Sequence, residues 1–350
     1  MSAPHLIPVN IVTGFLGSGK TTLLQRLLRD PSQKDTAVLV NEFGEVGLDH
    51  LLLQSVTENT LVMENGCVCC AIRGDLQDSL RSLFSQRERG EVPRFKRVVI
   101  ETSGLADPVP IAYTVLSDTV LQHHFRLGNV VTTVDGVNGL AQLDEFEESV
   151  KQVAVADRLI LTKSDIADPS DMAALRLALG RINLSAPIFD AVVDEIATQR
   201  LLIEDAGSSD YKSREAAHWM RGAGARGMQE ADHHAGHDHT HTEGISSFVL
   251  TFDQPLDWTA FGIWMTMLLN RHGDKVLRVK GLLNVAGMVA PVLINGVQHV
   301  VHQPVHLDSW PDTDHRSRLI FIVRDLSREK LERSLSAFNG LTNTRHSNVA

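Results

Sequence analysis

The stretch Gly14-Phe15-Leu16-Gly17-Ser18-Gly19-Lys20-Thr21 constrains the fold most, because it spells the phosphate-binding loop pattern G-x-x-x-x-G-K-[ST] in full. An apolar run precedes it (Ile7, Val9, Ile11, Val12) and helical spacing follows over 22–28. Strand, loop and helix in that order are the context the pattern requires. Gly14, Gly17 and Gly19 lack a Cβ, so the backbone around Ser18 can wrap a phosphate closely and turn its N–H groups inward, while the helix from Thr22 onward offers its positive end. Lys20 is placed to reach the β- and γ-phosphates, and the Thr21 hydroxyl to coordinate a bridging Mg²⁺. The expected class is α/β, a P-loop NTPase domain on a mainly parallel sheet.

In an open α/β sheet, ligands gather beyond the carboxyl ends of the strands, so the chemistry at each strand end matters. A second strand over 36–40 leads into Glu42 and Asp49, carboxylates that are either site residues or solvated surface. A third over 61–64 leads into Asn65-Gly66-Cys67-Val68-Cys69-Cys70, followed by a polar helix over about 73–89. Three thiols in four residues supply soft ligands for Zn²⁺, Cu⁺ or a similar ion, with a fourth from a carboxylate, a histidine or water. A redox pair in Cys67-x-x-Cys70 and inert buried thiols are the other readings. These are the chain's three cysteines, an odd number too tightly clustered for a disulfide framework.

A strand over 97–100 ends in Glu101-Thr102-Ser103-Gly104-Leu105-Ala106-Asp107-Pro108. An acidic residue at a strand end with a glycine three later has the layout of a Walker B and switch segment. Glu101 then orders Mg²⁺ and its waters, and Gly104 donates to a γ-phosphate. Pro108 suits the start of a helix running to 116. The strand over 130–135 ends in Asp135, either a second acidic site residue or the turn former before Gly136. The strand over 158–161 ends in Thr162-Lys163-Ser164-Asp165. Asp165 can accept from both N1–H and the 2-amino group of guanine, donors adenine lacks, while Lys163 lies over the base. This has the form of the guanine-reading NKxD element with Thr162 in place of asparagine; a Ser-Asp helix cap is the plainer alternative.

These four pieces together, at these separations, resemble the CobW/YjiA family of metal-associated P-loop GTPases, relatives of the nickel-insertion GTPases UreG and HypB. The resemblance spans nearly the whole chain and includes Val40-Asn41-Glu42-Phe43-Gly44 and Arg278-Val279-Lys280-Gly281. It implies a GTP-hydrolysing metallochaperone that takes Zn²⁺, with Co²⁺ or Ni²⁺ also accepted, at Glu42 and the Cys-x-Cys-Cys motif, and delivers it to a client metalloprotein. A homodimer is compatible with it. The rival classes are a P-loop kinase with a small acceptor and a metal buffer with an incidental nucleotide site.

The expected domains are 1–204, the GTPase unit; 205–244, a flexible linker; 245–340, a smaller α+β unit; and 341–350, a tail. The linker is rich in Gly, Ser, Ala and charge and holds His233, His234, His237, His239 and His241. Five of the chain's 16 histidines within nine residues is a metal-binding composition, weighed against a solvated polar tract. Beyond it, strands over 247–252, 276–283, 289–294, 297–305 and 318–324 are expected with helices over 258–271 and 328–338. Arg278 and Lys280 share a strand face, expected to be an exposed charged one or else an anion or partner contact. A net charge of −10 without a basic stripe argues against nucleic acid. The start lacks a basic leader, no run of eighteen apolar residues occurs, and the expected setting is cytoplasmic without membrane attachment.

Overall fold

The computed structural model describes residues 6–30, 33, 35–41, 61–65, 72–194, 201–202, 213, 216–217, 219 and 244–346. Two units separate by internal contacts: Met1–Leu179 with Pro187–Gly207, and Gly180–Ala186 with Ser208–Ala350. Among the described residues no helix is long and apolar enough to cross a membrane.

In the first unit, β1 (Ile7–Gly14), β4 (Arg97–Glu101) and β6 (Arg158–Thr162) are buried along their whole lengths. Strands covered on both faces read as continuous apolar runs rather than alternating ones, which is why these were legible. With β2 (Thr36–Asn41), β3 (Leu61–Asn65), β5 (Phe125–Asp135) and β7 (Ile188–Asp190) they form a seven-stranded sheet in the order β3-β2-β4-β1-β5-β6-β7. Every pairing in it is parallel. Register pairs Val12 and Val40 each with Glu101, Thr13 with Thr132, and Asp135 with Thr162, so the functional residues share one edge. Helix α1 (Lys20–Leu28) buries Leu23, Leu24, Leu27 and Leu28 against Val12, Val38, Val99, Val131 and Ile160. The other helices of the unit among the described residues are α2 (Ile72–Arg89), α3 (Val109–Ser117), α4 (Gly139–Glu145), α5 (Glu147–Val155) and α6 (Pro169–Ile182), whose last residues cluster with the second unit.

The second unit is α+β, as expected. Strands β8 (Ile245–Phe252), β9 (Val276–Leu283), β10 (Val292–Val297), β11 (Val300–Val301), β12 (Val305–His306) and β13 (Ser317–Arg324) pair antiparallel in the order β11-β10-β9-β13-β8, with β12 also on β10. Helices α7 (Trp258–His272) and α8 (Arg328–His346) pack in one core with Phe248, Val279, Phe321 and Val323. Asp257 caps α7 by accepting from the Ala260 N–H at 2.7 Å.

Three expectations need correction here. The span 297–305 is not one strand: Gln298, at φ 48°, lies in the turn between β10 and β11, and β12 begins only at Val305. Arg278 and Lys280 are not an exposed face but fully buried on β9, with the Lys280 ammonium 4.2 Å from the centre of the Trp219 ring. An aromatic face attracts a desolvated cation and shields its aliphatic stem. Trp219 and Ala216 lie inside the stretch expected to be linker, yet both are buried in a cluster with Leu282, Leu293 and Ile320. Gly, Ser, Ala and charged residues dominate the stretch, so these two buried residues give no periodicity to read.

Candidate functional site

The loop between β1 and α1 is held open by its glycines. Gly14 has φ 145°, and a Cβ there would lie 2.3 Å from Thr133 Oγ1 and 2.4 Å from the Thr133 carbonyl. Gly19, at φ 84°, is the N-cap of α1, and neither a side-chain cap nor an acidic residue occupies that first turn. Uncapped N–H groups at a helix start, with no acidic residue in the helix's own first turn, favour an anion. Ser18 is buried, its hydroxyl 2.7 Å from Thr133 Oγ1, so it braces the loop from behind. The Lys20 ammonium donates to the Gly14 and Phe15 carbonyls at 3.0 and 3.1 Å.

A cleft of about 310 Å³ opens over this loop, lined by Gly17, Gly19, Lys20, Thr21 and Thr22 on one side and by Glu101, Thr102, Ser103 and Gly104 on the other. Thr21 Oγ1 donates to Glu101 Oε1 at 2.6 Å, so the hydroxyl and the carboxylate singled out for Mg²⁺ are already adjacent. Two hard oxygens side by side at a phosphate loop are the donor set Mg²⁺ prefers. Gly104 packs directly on the loop: a Cβ there would sit 2.7 Å from the backbone N and Cα of Leu16. Beyond it, burial pushes the Asp107 carboxyl up while the Val109 N–H, donating at 2.9 Å, pulls the other way.

The Thr162 hydroxyl donates to the Ser18 carbonyl at 2.9 Å, tying the end of β6 to the phosphate loop. Lys163 adopts a left-handed φ of 57°, unusual for a side chain with a Cβ, and its ammonium lies 2.7 Å from Asp135 Oδ2. Asp135 is the turn former, accepting from the Val137 and Asn138 N–H groups, and it also pairs with Lys163. Burial opposes its charge, but the Lys163 bond and those turn donors hold its carboxyl below the usual range. Asp165 is exposed at the same edge, with no hydrogen-bond partner among the described residues.

Sequence reasoning missed two supports. Ser164 Oγ lies 2.6 Å from Asp190 Oδ1, which joins the guanine-type element to the end of β7, a three-residue strand too short to read. Gln152 on α5 donates to the carbonyls of Gly104 and Ala106, and a lone glutamine in a helix gives no sequence signal. Glu42, Asp49, Cys67, Cys69, Cys70 and His233, His234, His237, His239 and His241 lie outside the described residues. Register does pair Asn41 with Asn65, the last residues of β2 and β3, and the segments carrying Glu42 and Cys67 follow them directly in sequence.

Two family models match the chain: the CobW/HypB/UreG nucleotide-binding domain over residues 8–190 and the cobalamin synthesis protein cobW C-terminal domain over 245–339. The zinc chaperone YjiA of Escherichia coli is 33% identical over 341 residues, covering 96% of this chain and 98% of that protein. The zinc-regulated GTPase metalloprotein activator 1 of Schizosaccharomyces pombe is 29% identical, over 79% of this chain and 72% of its own length. The crystal structure of Zn(II)-bound YjiA GTPase from E. coli superposes with a TM-score of 0.70 at 29% identity, covering 96% of this chain and 99% of the other.

Proposed function

This chain belongs to the CobW/HypB/UreG family of nucleotide-binding proteins, and from that premise we propose that it is a GTPase metallochaperone whose nucleotide state sets its hold on zinc. The observation that carries the reading is the cleft in which the phosphate loop, Thr21 paired with Glu101, and Gly104 converge, with Thr162 roping the guanine-type element to the same loop. Gly14, Gly17, Ser18, Gly19, Lys20 and Thr22 hold the phosphates. Thr162, Lys163 and Asp165 select guanine. Mg²⁺ would sit on Thr21 and Glu101, where it neutralises charge between the β- and γ-phosphates. No arginine is among the described residues lining the cleft, so unassisted hydrolysis is expected to be slow, on the order of 10⁻³ to 10⁻² per second.

The cargo reading rests on Cys67, Cys69 and Cys70 with Glu42, a thiolate and carboxylate set suited to Zn²⁺ and also to Co²⁺ or Ni²⁺. The relatives named zinc chaperone support zinc first. The tract His233 to His241 is proposed as a weaker auxiliary store, and the recipient as a client metalloprotein, in keeping with the relative named a metalloprotein activator. The test is turnover of GTP and ATP by the purified chain with and without Zn²⁺, set against Lys20→Ala. GTP-selective turnover lost in the variant, with zinc still bound, supports the reading. Loss of all tight zinc binding in that variant without nucleotide would show that phosphate and metal sites are not separate.

A further inference from the structure

Gln152 of α5 is 1% exposed, and its amide Nε2 donates to two carbonyls of a single loop, Gly104 at 3.1 Å and Ala106 at 3.0 Å. From behind, its backbone carbonyl accepts from Thr132 Oγ1 of β5 at 2.9 Å. The amide orientation follows from these partners, because the flipped form would set Oε1 against two carbonyl oxygens. In the observed orientation Oε1 is buried with no hydrogen-bond partner among the described residues. A buried unpaired acceptor is unfavourable, and here it accompanies two bonds donated to one loop. The residue type is therefore accounted for by what Nε2 grips.

What it grips is the loop that lines the nucleotide cleft. Gly104 lies so close to Leu16 that a Cβ would come within 2.7 Å of that residue's backbone. The same helix meets the phosphate loop at its other end, where Phe146, the N-cap of α5, packs on Phe15 with ring centres 4.6 Å apart. One short helix thus contacts both the phosphate loop and the Gly104 loop.

We infer that Gln152 is a positioning residue that presents the Gly104 peptide to the γ-phosphate and so lets the chain tell GTP from GDP. This rests on the GTPase reading above. Gln152 is not among the residues lining the cleft, so its effect on the nucleotide runs through the Gly104 loop. The charged groups beside it, Asp107 on the loop and the Glu147–Lys151 pair on α5, are untouched by neutral substitution.

The test uses the full-length chain with Gln152→Met, which keeps length and removes the polar atoms, and Gln152→Glu, whose carboxylate repels both carbonyls. Affinities for GDP and for a non-hydrolysable GTP analogue are measured alongside steady-state GTP hydrolysis and Tm. Gln152→Met is expected to hold GDP within about twofold while losing about tenfold of the analogue-over-GDP preference and of kcat, two hydrogen bonds being involved. Gln152→Glu is expected to lose more. Equal weakening of GDP and analogue, tracking Tm, would mean a merely structural role, and an unchanged ratio in both variants would overturn the inference. A native chain that hydrolyses no GTP sinks the GTPase reading instead, and the affinity ratio still decides the role of Gln152.

Discussion

Thr21 Oγ1 and Glu101 Oε1 are 2.6 Å apart, joining the first turn of α1 to the end of β4 across the floor of the cleft. Both are side chains whose positions are set by backbone: α1 starts at Lys20 because Gly19 turns left-handed before it, and Glu101 closes a fully buried strand. The pair is thus preorganised, and the cost of aligning two oxygens for a hard cation is met in folding rather than in binding.

Glu101→Gln tests that pair directly. The amide oxygen can still accept from Thr21, so the fold is expected to hold, but the negative charge for Mg²⁺ is gone. GTP hydrolysis is expected to fall by about two orders of magnitude. Nucleotide binding without Mg²⁺ should stay within a few fold, measured by fluorescence titration with chelator present.

Guanine selectivity is expected from Asp165. Its exposed carboxylate offers two acceptors to guanine and meets no matching donors on adenine. Asp165→Ala is expected to weaken GTP by several kcal/mol and to bring GTP and ATP affinities together. Equal affinities in the native chain would contradict the assignment.

Asp135→Asn is expected to release Lys163 while leaving the turn intact, because asparagine still accepts from the Val137 and Asn138 N–H groups. One charge-assisted bond to a partly exposed ammonium is worth about 1 kcal/mol, so GTP and GDP should both weaken roughly fivefold. Calorimetry on both nucleotides checks this, and a selective loss of one would argue for a different role.

Acid stability follows from the paired carboxylates. Burial opposes ionisation of Asp118, Asp135 and Asp190, but N–H, hydroxyl and cationic partners hold all three below the usual range. Hydrogen bonding from Arg316 brings Asp314 to about 2. A depressed folded pKa contributes stability that is present above the unfolded value, about 3.9, and lost as pH falls through the folded one. Asp107 has the opposite sign, since its raised pKa favours folding when protonated. Tm is therefore expected to be little changed by these groups from pH 8 to 5 and to drop below about pH 4. A steep drop between pH 6 and 5 would point to other groups.

The parallel sheet and its phosphate loop were legible because both rest on residue type: buried strands must be apolar, and a loop wrapped round phosphate must be glycine. The role of Thr162 was legible in position but not in action, since only the fold brings its hydroxyl to the Ser18 carbonyl, 144 residues away in sequence. The left-handed backbone at Lys163 carries no glycine or asparagine to announce it. Arg278 and Lys280 misled for a related reason. Charge predicts exposure, and the aromatic cover over Lys280 comes from Trp219, about sixty residues away in a polar stretch.

Nucleotide state and metal affinity are expected to be linked through neighbouring strand ends. Glu42 follows β2, the cysteines follow β3, and Gly104 follows β4, with these three strands side by side in the sheet. Linkage requires that if GTP tightens metal, metal tightens GTP by the same factor. The most direct measurement is Zn²⁺ affinity by chelator competition, taken with GDP and with a non-hydrolysable GTP analogue. The two affinities are expected to differ by roughly 5- to 150-fold, tighter with the analogue, and the difference to be erased when Cys67, Cys69 and Cys70 are replaced by serine. Identical affinities in the two nucleotide states would contradict it and leave the phosphate loop and the cysteines as neighbours without a mechanism.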